Sequence, residues 1–271
     1  MELIENPCWK QSKYGIIGKF KTTGYSEIYR AFDRETKEQL IIKHCLEVDD
    51  FEREVAISDT IFLHGNNNHI VPIIDSFPEE NYLVMPYLEG GDLWNAIKRN
   101  NGLAAEQCFA VTAQVGLALQ QIHAAGVVHN DIKPGNILLA DIYTKSSFIW
   151  KADNTPIVKL IDFGLSFGGP SEPNWGAGTL EYRPPEKMSC SGQPTSAVDI
   201  YSLGLTVHQM LTDTLLYWES NTPRYEVVPP HERIPENILQ VIRTACELDP
   251  ANRYKTAAAM VSDLEKAVYG C

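Results

Sequence analysis

The segment His129-Asn130-Asp131-Ile132-Lys133-Pro134-Gly135-Asn136-Ile137-Leu138-Leu139, with Ile161-Asp162-Phe163-Gly164 downstream, puts four chemically specific side chains on two short polar stretches. Asp131 can orient an attacking hydroxyl. Lys133 can neutralise charge that develops on a transferred group, and Asn136 and Asp162 can each offer a hard oxygen to Mg²⁺. Phosphoryl transfer from Mg·ATP needs all four together. A loop aspartate most often bonds its own backbone, and Asn136 and Asp162 would serve as capping residues, but those uses leave the fixed offsets of Lys133 and Asn136 from Asp131 unexplained.

Around these loops the hydrophobic pattern divides the chain. From Tyr14 to Tyr87 it reads as short strands and one helix. Glu27 to Phe32 alternates polar and apolar residues, Asp33 to Lys37 is a polar turn, and Gln39 to Lys43 returns as the next strand of a hairpin. Between Asp50 and Phe62, Phe51, Val55 and Phe62 fall at helical spacing, with Asp49 or Asp50 as the expected cap. Tyr82 to Met85 reads as a buried strand ending at Pro86, which has no N–H to offer a ligand. Beyond Leu88 the pattern is mostly helical. Val111, Val115, Leu119 and Ile122 form one apolar stripe, Leu239, Ile242 and Cys246 another, and Leu264 and Val268 mark a last helix. Gly126 stops the first of these just before His129. The fold class expected is α+β, with a small antiparallel-sheet lobe over residues 1–87 and a larger helical lobe over 88–271 of a single domain.

Composition narrows the function classes. The 271 residues, 44% of them hydrophobic, can bury a large core and suffice for one such two-part unit without an appended domain. A net charge of −12 would repel nucleic-acid phosphates. No apolar run is long enough to span a bilayer, and Met1 to Glu5 does not resemble a signal region, so a cytoplasmic protein without membrane partners is expected. Cys8, Cys45, Cys108, Cys190, Cys246 and Cys271 include no C-x-x-C pair, which argues for reduced thiols over zinc or disulfides.

The two loops resemble the H-R-D-x-K-x-x-N catalytic loop and D-F-G metal loop of the protein kinase superfamily, serine/threonine branch. The resemblance extends over nearly the whole chain. Leu40-Ile41-Ile42-Lys43 is similar to the family's V-A-I-K strand, and Arg53-Glu54-Val55 to the helix whose glutamate pairs with that lysine; Glu54 is preferred over Glu52. Gly178 to Glu186 resembles G-T-x-x-Y-x-A-P-E, with Pro184 in place of alanine. Asp199 and Arg253 match scaffold positions, and Arg253 would pair with Glu186. The resemblance implies ATP and Mg²⁺ as cofactors, a protein substrate, and catalytic roles for Asp131, Lys133 and Thr179. It implies nucleotide contacts from Lys43, Glu54, Thr22, Thr23, Gly24, Met85, Tyr87, Leu88, Asp92, Asn136 and Asp162, with Asn136 and Asp162 also holding the metal. His129 is expected to stack near Phe163 in a structural role, and Gly164 to free the backbone of its loop.

Three departures matter. The family's phosphate-covering loop reads G-x-G-x-x-G-x-V; counting back from Ile28 puts Lys21, Thr23 and Ser26 at the glycine positions, while Gly18 would serve as the first glycine of a longer loop. Asn130 replaces an arginine that meets an activating phosphate in regulated relatives, so activity is expected not to depend on phosphorylating residues 165–179. The stretch 140–157, with Tyr143, Phe148 and Trp150, is longer than usual, and reads as an added hairpin or as a docking surface for a partner. Two alternatives remain open: a small-molecule phosphotransferase of the aminoglycoside or choline type, and a pseudokinase that binds partners.

Overall fold

The computed structural model describes residues 13–65, 68–140, 156–168, 178–188, 195–216 and 231–270. Its first part is a five-stranded antiparallel sheet in the order β1-β2-β3-β5-β4, formed by β1 (Tyr14–Thr22), β2 (Ser26–Asp33), β3 (Gln39–Cys45), β4 (Asp75–Phe77) and β5 (Tyr82–Pro86). Alternation places Ala31, Leu40, Ile42 and Val84 on one buried face with Tyr14 and Ile16. The β2–β3 register pairs Ile28 with Lys43, so the third residue of β2 lies beside the lysine.

Helix α1 (Val48–Leu63) crosses the sheet. Its N-cap is Glu47, with no side-chain cap, so the expected capping by Asp49 or Asp50 is corrected. The helix begins earlier than expected, which leaves Asp50 in the first turn to pair with Arg53 at 2.7 Å. Phe51, Glu54, Ile57 and Ile61 fall on the buried face, and Glu54, not Glu52, points inward.

After β5, Tyr87 continues the pairing by donating its N–H to Gln39 O. The chain then passes beneath the sheet through Gly90, where a Cβ would lie 2.3 Å from Leu139 O; only glycine permits that approach. Helix α2 (Leu93–Asn100) starts at Asp92, whose carboxylate accepts from Asn95 N. Helix α3 (Ala105–Ala124) is the central post of the larger lobe. Its predicted stripe, Val111, Val115, Leu119 and Ile122, is at most 1% exposed, and each such side chain contributes about 1.5–3 kcal/mol by leaving water. It packs against α5 (Ala197–Thr212) and α7 (Ala257–Tyr269), while α6 (Glu236–Ala245) bridges those two. The outer scaffold closes on Arg253, 2% exposed, which grips both oxygens of Glu186 at 2.7 Å each, as expected.

Two short ladders bring the polar loops together. β6 (Val127–Val128) pairs with β9 (Phe167–Gly168), and β7 (Ile137–Leu139) pairs with β8 (Val158–Leu160). The loop 129–136 and the loop 161–166 are therefore held side by side at both ends. The stretch proposed for docking leaves and re-enters at the β7–β8 pair, where Ala140 N bonds Ile157 O. Residues 141–155, including Trp150, lie outside the described residues.

Candidate active site

Between sheet and helices lies a cleft with two adjoining cavities, about 380 and 210 Å³. The first is polar and contains Asp131, Lys133, Asn136, Asp162, Lys43 and Thr179. The second is walled by Ile28, Ile41, Val71, Met85, Leu138 and Ile161, a flat aliphatic slot ending at Pro86, Tyr87 and Leu88.

Lys43 sits at the junction. Its ammonium is 2.5 Å from Glu54 Oε2 and 2.8 Å from Asp162 Oδ1, tying β3 to α1 and to the downstream loop. Burial opposes charging of this lysine, but the carboxylates of Asp162 and Glu54 outweigh burial and raise its pKa above the ordinary value. Burial would also lift Asp162; the neighbouring Lys43 reverses that and holds the carboxyl down at about 2. Glu54 goes the other way, because burial exceeds the pull of Lys43 and Asp162 adds to the rise. Arg53 extends the link by donating to Asp50 Oδ1 and to Gly164 O at 3.2 Å.

Asp131 is fixed by three donors. Its Oδ1 accepts Thr179 N at 2.8 Å, while Oδ2 accepts Lys133 Nζ at 2.7 Å and Asn136 Nδ2 at 2.9 Å. Burial raises this carboxyl, yet the Lys133 ammonium and the Thr179 donors outweigh it and keep the pKa below the usual value. Lys133 also reaches Thr179 Oγ1 at 2.5 Å, so Asp131, Lys133 and Thr179 form one closed set. Beneath them, Asp199 is wholly buried on α5 and accepts from His129 N, Asn130 N and His123 Nε2 at 2.8–2.9 Å. His129 packs its ring 5.1 Å from that of Phe163 and bonds Ile161 O, the structural role expected.

The left-handed residue in each of the two loops is not its glycine. Asp162 has φ 70° and Asn130 has φ 72°, both left-handed, whereas Gly164 does not. Asn136 and Asp162 line both cavities, and Asn136 turns its amide nitrogen toward Asp131, leaving its carbonyl oxygen for a cation. Two hard oxygen donors in one polar cavity fit Mg²⁺, which takes few protein ligands.

Most residues named from the sequence meet in the cleft. Lys43, Glu54, Asn136 and Asp162 line both cavities, Thr23 does too, Gly24 lines the polar one, and Met85, Tyr87, Leu88 and Asp92 line the apolar one. Thr22 lines neither. It pairs with Glu27 at the end of β1, and strand alternation turns Lys21 and Thr23 toward the cleft in its place. Gly18 pairs with Arg30 inside β1, and a Cβ there would meet nothing within 4 Å, so the longer-loop register is not adopted. The turn is closed by Thr23, whose hydroxyl accepts from Ser26 N at 3.0 Å and Tyr25 N at 3.3 Å. The aliphatic walls Ile28, Ile41, Leu138 and Ile161 escaped the reading of the sequence, although each lies within two residues of a named motif position. Val71 has no such signal.

This cleft and its loops define a protein kinase catalytic domain, and residues 15–264 match the protein kinase domain family, to which the chain belongs. Among proteins it resembles are a probable serine/threonine-protein kinase of Clostridium perfringens, 28% identical over 94% of this chain and 38% of its own length. The serine/threonine-protein kinase PknD of Chlamydia caviae is 28% identical over 95% of this chain and 31% of its own. For serine/threonine-protein kinase D of Synechocystis the figures are 27%, 94% and 52%. The chain thus spans between 31% and 52% of the length of these relatives.

Proposed function

We propose that the chain is an ATP- and Mg²⁺-dependent protein serine/threonine kinase, a single catalytic unit whose lobes divide between residues 87 and 88. The observation that carries this reading is the closed set of Asp131, Lys133 and Thr179, which joins the catalytic aspartate to the segment 178–186. Such a link has a use when the acceptor hydroxyl arrives on a peptide lying along that segment, and none when the acceptor is a small molecule in the polar cavity. It favours a protein substrate over an aminoglycoside or choline.

In this reading the aliphatic slot takes the adenine, with the backbone near Tyr87 and Leu88 and the carboxylate of Asp92 at its rim. Lys43, positioned by Glu54, faces the α and β phosphates. Asn136 and Asp162 would hold Mg²⁺, which neutralises phosphate charge and aligns the γ-phosphate when bound. Asp131 accepts a hydrogen bond from the substrate hydroxyl and aims its oxygen at the γ-phosphorus. A bond forms there as the bond to the bridging oxygen breaks, and ADP departs. With a depressed pKa Asp131 is a weak base, so its contribution is orientation and the late acceptance of the proton. Lys133 offsets charge on the moving phosphoryl group.

The buried thiols Cys45 and Cys108, both pushed up to about 12 chiefly by burial, suit a reducing cytoplasmic setting. Among the described residues no helix is long and apolar enough to cross a membrane. The deciding experiment is incubation with γ-labelled ATP, Mg²⁺ and a generic protein, alongside choline and aminoglycosides. Label on serine or threonine in the unaltered protein's reactions, lost in Asp131→Asn and Lys43→Met, is expected. Label that persists in both variants, or goes only to a small molecule, refutes the proposal.

A further inference from the structure

Asn130, between His129 and Asp131, has every polar group of its side chain engaged. Its Nδ2 donates to Leu165 O at 2.8 Å, in the metal loop, and its Oδ1 accepts from Lys187 Nζ. Lys187 lies in α4 (Pro185–Met188), directly after Glu186, and is 2% exposed. Gly178, at the other end of the substrate segment, has φ 94° and packs on the same spot. A Cβ there would be 2.8 Å from Asn130 O and 3.6 Å from Lys187 Nζ. The side-chain amide of Asn130 therefore joins the metal loop to α4, while Gly178, at the other end of the segment 178–187, packs on the backbone of the same residue.

A buried ammonium is costly. Burial first, and the guanidinium of Arg183 second, bring Lys187 down to about 8, against the upward pull of Asp199, Asp131 and Glu186. Arg183 itself donates to Gly178 O. Ser166, nearby, is 1% exposed and donates its hydroxyl to His129 O, so it is closed to modification while the loops are packed.

We propose that Lys187 is a positioning residue which, through Asn130, fixes the substrate segment against the catalytic loop, so that protein phosphorylation proceeds with no phosphate on residues 165–179. The inference rests on the kinase reading above. In regulated relatives an arginine at the place of Asn130 would gather a phosphate; here a cation supplied by α4 grips a neutral side chain, with no phosphate in the contact. The charge on Lys187 strengthens that hydrogen bond. Above pH 8 the ammonium discharges and the tie weakens.

The test uses Lys187→Met, Lys187→Arg, Asn130→Gly and the double variant, with a protein substrate and phosphatase-treated enzyme. Lys187→Met is expected to raise KM for the protein substrate about tenfold while the Mg·ATP dissociation constant, read by calorimetry, moves less than about twofold. Lys187→Arg should recover most of the loss and carry the alkaline fall in kcat/KM from near pH 8 to higher pH, because its guanidinium stays charged. The double variant should be no worse than the poorer single variant, since both substitutions break one contact. Phosphatase treatment should leave the rate unchanged. An unchanged KM in Lys187→Met, equal losses of ATP binding and phosphorylation, or a large loss on phosphatase treatment would overturn the inference. Failure of the kinase reading is separate: the unaltered protein would then label no protein at all.

Discussion

Replacing Asp199 by asparagine tests how the catalytic loop is held. The carboxylate takes three N–H donors in a site with no solvent exposure. An amide keeps one oxygen and turns an NH₂ toward at least one of those donors. One charge-assisted bond is lost, worth about 1.5–3 kcal/mol, and a buried donor is left unpaired at about 1–3 kcal/mol. Relief from burying a charge offsets part of this, which leaves a net loss of roughly 3 kcal/mol. With an unfolding entropy of about 2.1 cal/mol/K per residue, the thermal midpoint should fall by roughly 5 °C. The loop carrying Asp131 would also drift, and a misplacement near 1 Å costs about 10²-fold in rate. Calorimetry and the phosphorylation assay read the two effects on one preparation. The sign with pH is also set. Burial raises Asp199, but the bonds to His123 and Asn130 and the nearby His129 prevail and hold its pKa below 3.8. Its stabilisation is present above that value and is lost as pH falls through the depressed folded one. The variant should lack this component. A midpoint within about 1 °C of the unaltered protein, with an unchanged rate, would refute the assignment of Asp199 as the loop's anchor.

Three further outcomes are expected. Thr23→Gly removes the hydroxyl that accepts from Tyr25 N and Ser26 N, and each released donor is worth about 0.5–1.5 kcal/mol, so KM for ATP should fall several-fold; a rise would show that the threonine serves the nucleotide. Arg253→Met leaves Glu186 without its paired guanidinium and should cost about 3–5 kcal/mol in denaturant unfolding, whereas a loss below about 1 would assign the pair no structural weight. Because the Asp131 carboxyl is held below 3.8, the logarithm of kcat should show no inflection from this group between pH 7 and 5, and an inflection there that disappears in Asp131→Asn would contradict the geometry.

Local periodicity made much of this fold readable. The β2–β3 hairpin and the stripe Val111, Val115, Leu119 and Ile122 emerge where expected because alternation and the helical repeat depend on adjacent residues alone. The gathering of Asp131, Lys133, Asn136 and Asp162 in one cavity was legible for a different reason: they stand at offsets that local chemistry alone does not require. Errors arose where two local rules competed. Asp49 and Asp50 are good caps, but the helix starts at Val48 and Asp50 is used by Arg53. Thr22 has the right chemistry for a phosphate, yet the pleat directs Lys21 and Thr23 to the cleft instead. The Asn130–Lys187 contact links positions 57 apart and leaves no mark in either neighbourhood.

Arg53 has a mechanical consequence. Because its guanidinium grips the carbonyl of Gly164 while the next residue holds Lys43, a swing of α1 that withdraws the glutamate also pulls on the loop that carries Asp162 and Gly164. Disengagement of the two is therefore a joint event, and intermediate settings are disfavoured. The catalytic cleft should behave as a toggle, occupied as assembled or dismantled, with little population between.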